Sequence, residues 1–423
     1  TQPKKGFCAA SLLERGGIVF YGWKVVCCTF SVLMIGYGIQ FCFGAFLPAI
    51  EADLGWDRTS LALPYAVYVF LYGILGLPSG WLTDRFGPSP VIAGGALCLG
   101  VGIGLFSQID SLWMAYPTFG VIAAIGMSAV FVPCNATLVK WFVRKRGLAV
   151  SLSASGASMG NFVFPPIAAV LIQSHGWRIA YLELAVVGTI LIVIISRFIV
   201  RDPETKGLRP DGEQAPSEEA EISPAKEEPS YTLAQARRTS VLWILMAIFS
   251  CTWLAVFTPF VHIPAGAKDL GLEPKVGAYL LSTIGFGGLF GRLFTGPLSD
   301  RTGRLPSLAL VMTLQTIGFG LLAEADTAKA LFIGCFVFGL SYGGGTVLFP
   351  AIVGDQFGRK SAGTIVGFIF AVAGSLAAFG PPFAGYLYDS LGSYSLAYWI
   401  CSALNLLALC LIAFVPRGPR TSQ

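Results

Sequence analysis

The chain has 423 residues, of which 55% are hydrophobic and only 12% charged, and its formal net charge is +5. Soluble proteins carry about 25% charged residues, so this chain has too little polar surface to face water and lipid must be its main solvent. That excludes a soluble globular domain. The small positive excess lies in short loops and does not make a nucleic-acid-binding surface.

Apolar stretches begin near Tyr21, Leu61, Val91, Trp113, Gly147, Tyr181, Val241, Gly277, Ser307, Ala330, Gly363 and Leu396. A helix needs about 20 residues to cross the hydrocarbon core, so the expectation is an all-α integral membrane protein of twelve spans. Both termini then lie on one side. Of the 28 basic residues, all but six fall on that side or in the central loop. Arg58, Arg178, Lys268, Lys275 and Lys329 fall opposite, and Arg292 lies inside a span. Basic loops stay in the cytoplasm, which puts both termini there.

Residues 201–238 carry five prolines among many charges and almost no aromatic side chains. Such a stretch cannot bury enough apolar area to fold, and a disordered cytoplasmic linker is expected. The division that follows is a tail at 1–18, a six-helix bundle at 19–200, the linker, a second bundle at 239–416 and a tail at 417–423.

The two halves repeat. Gly80-Trp-Leu-Thr-Asp84-Arg85-Phe-Gly87 recurs as Gly296-Pro-Leu-Ser-Asp300-Arg301-Thr-Gly303, an offset of 216 residues (300 minus 84). Asp53-Leu54-Gly55 and Pro48-Ala49 recur at the same offset as Asp269-Leu270-Gly271 and Pro264-Ala265. Several short matches in one register point to duplication of a six-helix unit.

With these repeats the chain resembles the major facilitator superfamily outside the linker. Gly22-Trp23 at the head of the first span, and Trp141-Phe-Val-Arg-Lys-Arg-Gly-Leu-Ala leading to Ser155-Gly156, are similar to signatures of the monocarboxylate transporter family, its bacterial members in particular. The oxalate/formate antiporters are near relatives. The resemblance implies proton-coupled symport of lactate- or pyruvate-like anions by alternating access between the halves, in the plasma (bacterial inner) membrane. It assigns Asp84, Arg85, Asp300 and Arg301 to gating and folding. Two positions depart from the animal members: Gly288 replaces an acid one turn before the eighth-span arginine, and Gln40-Phe41 stands where a lysine is common. A proton route through those groups does not transfer.

Arg292 is the sharpest signal read from the residues themselves. It lies eight residues before Asp300, roughly 12 Å in from the helix end at about 1.5 Å per residue. A lone arginine at that depth costs from about 3 to more than 10 kcal/mol, so it faces a cavity and serves a function. The repeat places Gly76 at the equivalent position, so the charge is not needed twice for the fold. Guanidinium presents a fork matched to a carboxylate, and Arg292 is read as the substrate carboxylate's partner. The alternative is pairing with backbone carbonyls or a buried acid. Residues 363–388, covering the eleventh span, contain no Lys or Arg, so a single fixed charge favours a monoanion over oxalate.

The first, fourth, seventh and tenth spans line the cavity in this superfamily, which offers Tyr37, Gln40, Asn135 and Tyr342 as polar substrate contacts. Each could equally make an interhelical hydrogen bond. Tyr342 precedes Gly343-Gly344-Gly345, a stretch that can flex or pack tightly. His262 and Asp269 are the proton-coupling candidates, the first because imidazole titrates near neutral pH. Asp269 repeats Asp53, which favours a structural loop role instead.

No catalytic constellation, no metal-ligand cluster and no phosphate loop occurs, so no enzyme activity, cofactor or metal is expected. The expected partners are the monocarboxylate, a proton and lipid, and a monomer is the expected working unit. An organic-anion exchanger of the oxalate/formate kind and, more remotely, a carboxylate sensor remain as alternatives.

Overall fold

The computed structural model describes residues 20–143, 145–212, 231–358 and 362–416. Among them, twelve helical spans run in order. They are Tyr21–Leu54, Arg58–Phe86, Pro88–Phe106, Leu112–Trp141, the two parts of Arg146–Ser196, Ser240–Asp269, Pro274–Thr302, Arg304–Ala323, Ala328–Phe357, Thr364–Leu391 and Ser395–Ile412. The continuous stretch Arg146–Ser196 divides into a fifth span (146–175) and a sixth (177–196) at Gly176, whose φ of 78° no helix accommodates. Large apolar side chains face outward in numbers that water would not tolerate, Trp113 at 81% and Leu77 at 72% exposure among them. Lipid takes the place of solvent there.

The helix ends follow from local chemistry. Asp57 caps the second span by accepting from the Ser60 N–H at 2.7 Å, and Thr327 caps the tenth from the Ala330 N–H. Glycine closes corresponding helices in both halves with φ in the left-handed region. Gly55 and Gly271 have φ of 66° and 73°, and Gly87 and Gly303 have 86° and 96°. Gly176 and Gly392 have 78° and 70°. Each pair is separated by 216 residues, so the sequence repeat is also a repeat of backbone geometry.

Small residues set how closely the spans approach, the usual device where lipid supplies no hydrophobic drive between helices. Gly156 and Gly160 of the fifth span lie against the Phe30 and Met34 carbonyls of the first. Gly287 and Gly291 of the eighth lie against the Phe336 and Leu340 carbonyls of the tenth, which returns Gly339 and Gly343 to the eighth. The open question over Gly343–Gly345 is thereby decided at Gly343. The tenth span stays helical through it, and its backbone touches the Gly288 carbonyl.

Both ends of the expected disordered segment are structured. Residues 201–212 form short 3-10 turns, and Asp211 there accepts from the Val143 N–H at 2.9 Å. On the far side, Thr232 and Gln235 form a reciprocal capping box for Leu233–Ala236. Composition argued against a packed core for this stretch, but capping and docking against neighbouring loops require none. Residues 213–230 lie outside the described residues, as do 1–19 and 417–423.

Candidate functional site

Arg292 lies in the eighth span beside the seam with the first six spans and is 8% exposed. Its Nε donates to the Thr346 hydroxyl of the tenth span at 3.2 Å, and its Nη1 donates to the Ala154 carbonyl of the fifth. Thr346 in turn donates to the Gly343 carbonyl at 2.8 Å. Among the described residues Arg292 makes no ion pair. The pairing with a backbone carbonyl foreseen as the alternative does occur, but it supplies only neutral acceptors. Among the described residues the charge therefore has no counter-charge, and in a buried setting its attraction for an anion is stronger than in water.

Tyr37 and Tyr342 are the electrostatic neighbours of that charge. The Tyr37 hydroxyl pairs with that of Tyr72 at 2.7 Å, and the Tyr342 ring packs against Phe260 at 5.3 Å. Tyr342 and Thr346 also line a cleft with Phe249, Thr252, Trp253 and Gln315. Tyr37 and Tyr342 thus neighbour Arg292, while Thr346 bonds Arg292 and Tyr72 bonds Tyr37, two partners the sequence reading did not name.

Gln40 is buried with neither amide atom hydrogen-bonded, and the hydroxyls of Tyr65 and Tyr68 are buried and unpaired as well. Gln40 and Tyr65 are neighbours whose polar atoms stop short of hydrogen-bond geometry. An unpaired buried polar group costs about 1–3 kcal/mol, which sets Gln40, Tyr65 and Tyr68 apart from the paired Tyr37 and Tyr72 hydroxyls. Tyr65, Tyr68 and Tyr72 recur at intervals of three and four along the second span, which places them on one helix face. That spacing was a visible signal. Asn135, by contrast, donates to the Phe131 carbonyl of its own helix at 3.0 Å.

His262 and Asp269 stand apart from Arg292, at the end of the bundle away from Tyr21 and Ile412. There the Arg58 guanidinium donates Nη1 to Asp269 Oδ2 at 2.6 Å and Nη2 to Oδ1 at 2.7 Å. Asp269 shares the motif of Asp53 but not its partners. Asp53 binds Trp177 and Arg178 within its own half, whereas Asp269 reaches across to Arg58 because the seventh span leans against the first. Arg58 was counted among the loop charges; nothing local in its surroundings marks it as a cross-half partner.

The loop-motif residues sit at the opposite end. Asp84 pairs with Lys140 at 3.1 Å and Asp300 with Arg304 at 2.7 Å, each within its own half. Arg85 lies over the Trp81 and Phe86 rings, and Arg301 is exposed.

Twelve spans in two repeated sets, with an arginine buried beside their seam, define a membrane transport protein of the secondary-transporter class. The chain belongs to the Major Facilitator Superfamily, whose model matches residues 28–379 and 267–423. It is 25% identical to monocarboxylate transporter 13 of Bos taurus, over 91% of this chain and 87% of that one. With monocarboxylate transporter 3 of Rattus norvegicus it shares 28%, over 92% and 78%. With the oxalate:formate antiporter of Oxalobacter formigenes it shares 24%, over 96% and 94%. A solved bacterial homologue of the human lysosomal transporter Spinster has the same fold, with a TM-score of 0.65 at 14% identity over 94% and 95% of the chains.

Proposed function

We propose that the protein carries small monocarboxylates such as L-lactate or pyruvate across the plasma membrane together with a proton, by alternating access between its two six-span halves. One observation carries this reading: Arg292 is buried, central and without a carboxylate partner among the described residues. A substrate carboxylate would take both arms of the fork and displace the Ala154 carbonyl, exchanging a weak neutral acceptor for a bidentate ion pair. Tyr37 and Tyr342 would border the bound acid. The unpaired Gln40 amide and Tyr65 hydroxyl would receive a hydroxyl or keto oxygen at its other end.

Charge balance supports the proton. Moving one net charge against 100 mV involves about 2.3 kcal/mol. An accompanying proton removes the opposition that an inside-negative potential sets against anion entry. Within this scheme the Arg58 end faces outward, and Asp84, Arg85, Asp300 and Arg301 act at the cytoplasmic mouth.

The test is uptake of labelled L-lactate into proteoliposomes with and without an inward proton gradient. Accumulation that a protonophore abolishes, and that Arg292→Ala lacks while still folded, is the expected result. Similarity over 96% of the chain to an oxalate:formate antiporter favours anion exchange as the second reading. Counterflow indifferent to the proton gradient would replace symport with exchange.

A further inference from the structure

Arg58 is 3% exposed and gathers partners from four other spans. Glu51 of the first accepts from its Nε at 3.0 Å, and Asp269 of the seventh takes both Nη atoms. The Tyr388 ring of the eleventh lies 3.9 Å from its guanidinium carbon. Tyr394, which heads the twelfth, accepts from Nη1 at 3.1 Å. Asp389 fastens the adjacent backbone, accepting from the Arg58 and Thr59 N–H groups at 3.4 and 2.9 Å and from the Thr59 hydroxyl. Lys268 approaches Glu51 at 3.5 Å. Most of these bonds join the two halves of the chain, so they hold this mouth shut.

His262 is fully buried behind the cluster. Its Nε2 is 2.8 Å from the Pro381 carbonyl and its Nδ1 is 2.9 Å from the Tyr394 hydroxyl. A carbonyl only accepts, so Nε2 carries the hydrogen and, in the neutral ring, Nδ1 accepts from Tyr394. The bonds therefore run in one direction: Arg58 to Tyr394, Tyr394 to His262, and His262 to Pro381. A proton added at Nδ1 reverses the middle link. Tyr394 loses its acceptor, and a second positive charge stands one hydroxyl away from Arg58. Arg58 and Lys268 face three carboxylates here, Glu51, Asp269 and Asp389, which leaves one negative charge in excess to offset an added proton.

We infer that His262 binds the transported proton and that its protonation releases the Arg58 latch, opening the mouth at the Arg58 end of the bundle. This rests on reading the chain as an alternating-access carrier, and it is independent of which acid is carried. Acid outside then opens the mouth through which the substrate enters, and an empty, unprotonated carrier closes it again.

Hydrogen–deuterium exchange of the full chain in nanodiscs, without substrate, tests the latch. Peptides spanning residues 51–62 and 381–396 are followed at about pH 7.5 and about pH 4, a span wide enough to protonate a buried imidazole, after correction for intrinsic exchange. The wild type is expected to open several-fold more at the lower pH. His262→Gln keeps one donor for Pro381 and one acceptor for Tyr394, and is expected to show no pH response. Arg58→Ala is expected to be open at both values, and Asp269→Asn substitutes for it if that variant does not fold. An unresponsive wild type overturns the latch. An acid response that survives His262→Gln assigns the proton to a carboxylate and overturns the role of His262. Lactate plays no part in the readout, so a wrong substrate leaves the test intact.

Discussion

Gly44 of the first span touches the carbonyl oxygen of Phe260 in the seventh, backbone against backbone, at a point where a side chain would have no room. The two positions are 216 residues apart, so the crossing joins equivalent points of the repeat. Pro264 has no N–H to offer the Phe260 carbonyl, and the Phe41 and Phe260 rings stack at 4.4 Å beside the contact. The halves meet here only because position 44 is glycine.

Gly44→Ala must therefore push the two spans apart. Overpacking of this kind costs about 1–3 kcal/mol, and it is charged only to the arrangement in which this mouth is closed. Faster amide exchange in residues 41–54 is expected, with the melting temperature falling by no more than a few degrees. Exchange matching the wild type would mean that the crossing does not hold the seam.

Gly343→Ala sets a methyl group against the Gly288 carbonyl and the backbone around it. Neither helix can yield locally, so a loss of about 1–3 kcal/mol is expected, read as a lowered unfolding temperature in detergent. Gly354→Ala is the control, since a Cβ there meets nothing within 4 Å. Alanine should be neutral or favourable at that helical position, by up to about 1 kcal/mol.

Arg292→Lys keeps the charge and discards the fork. If two parallel hydrogen bonds to a carboxylate hold the substrate, affinity for lactate should fall at least about tenfold, the equivalent of 1.4 kcal/mol. Isothermal titration of the purified variant checks this, and unchanged affinity would reduce the role of Arg292 to that of a point charge.

Thr346→Val removes the acceptor for the Arg292 Nε while leaving the helix intact. The guanidinium then loses its orientation but not its burial. A KM raised several-fold with the maximal rate retained is expected in proteoliposome uptake. An equal loss in both would place Thr346 in a transport step after binding.

Much of the fold was legible in the sequence because its causes are local. A run of apolar residues is a span wherever the rest of the chain goes, and the glycines that end helices at 55, 87 and 176 return at 271, 303 and 392 with the same backbone sign. Arg292 was legible for a similar reason, since a charge about 12 Å inside an apolar helix needs a cavity whatever its neighbours are. The tyrosine face of the second span could have been found from its spacing, but Tyr65, Tyr68 and Tyr72 read equally well as apolar packing until their hydroxyls are placed.

Other assignments depended on contacts between distant parts of the chain. Asn135 and Tyr342 are similar candidates on paper, yet one turns to the Phe131 carbonyl and the other stands beside Arg292. Asp53 and Asp269 share a motif, and only the second crosses the seam.

The sequence by itself determined the spans, their duplication and the charge set inside the eighth span, because burial in lipid is dictated residue by residue through the cost of exposing polar groups to hydrocarbon. The tertiary structure decided the partners: Thr346 and Ala154 for Arg292, and Asp269 for Arg58 from 211 residues away. Hydrogen bonds and ion pairs form only when the polar atoms come within about 3.5 Å, and which groups come that close is fixed by how the helices pack.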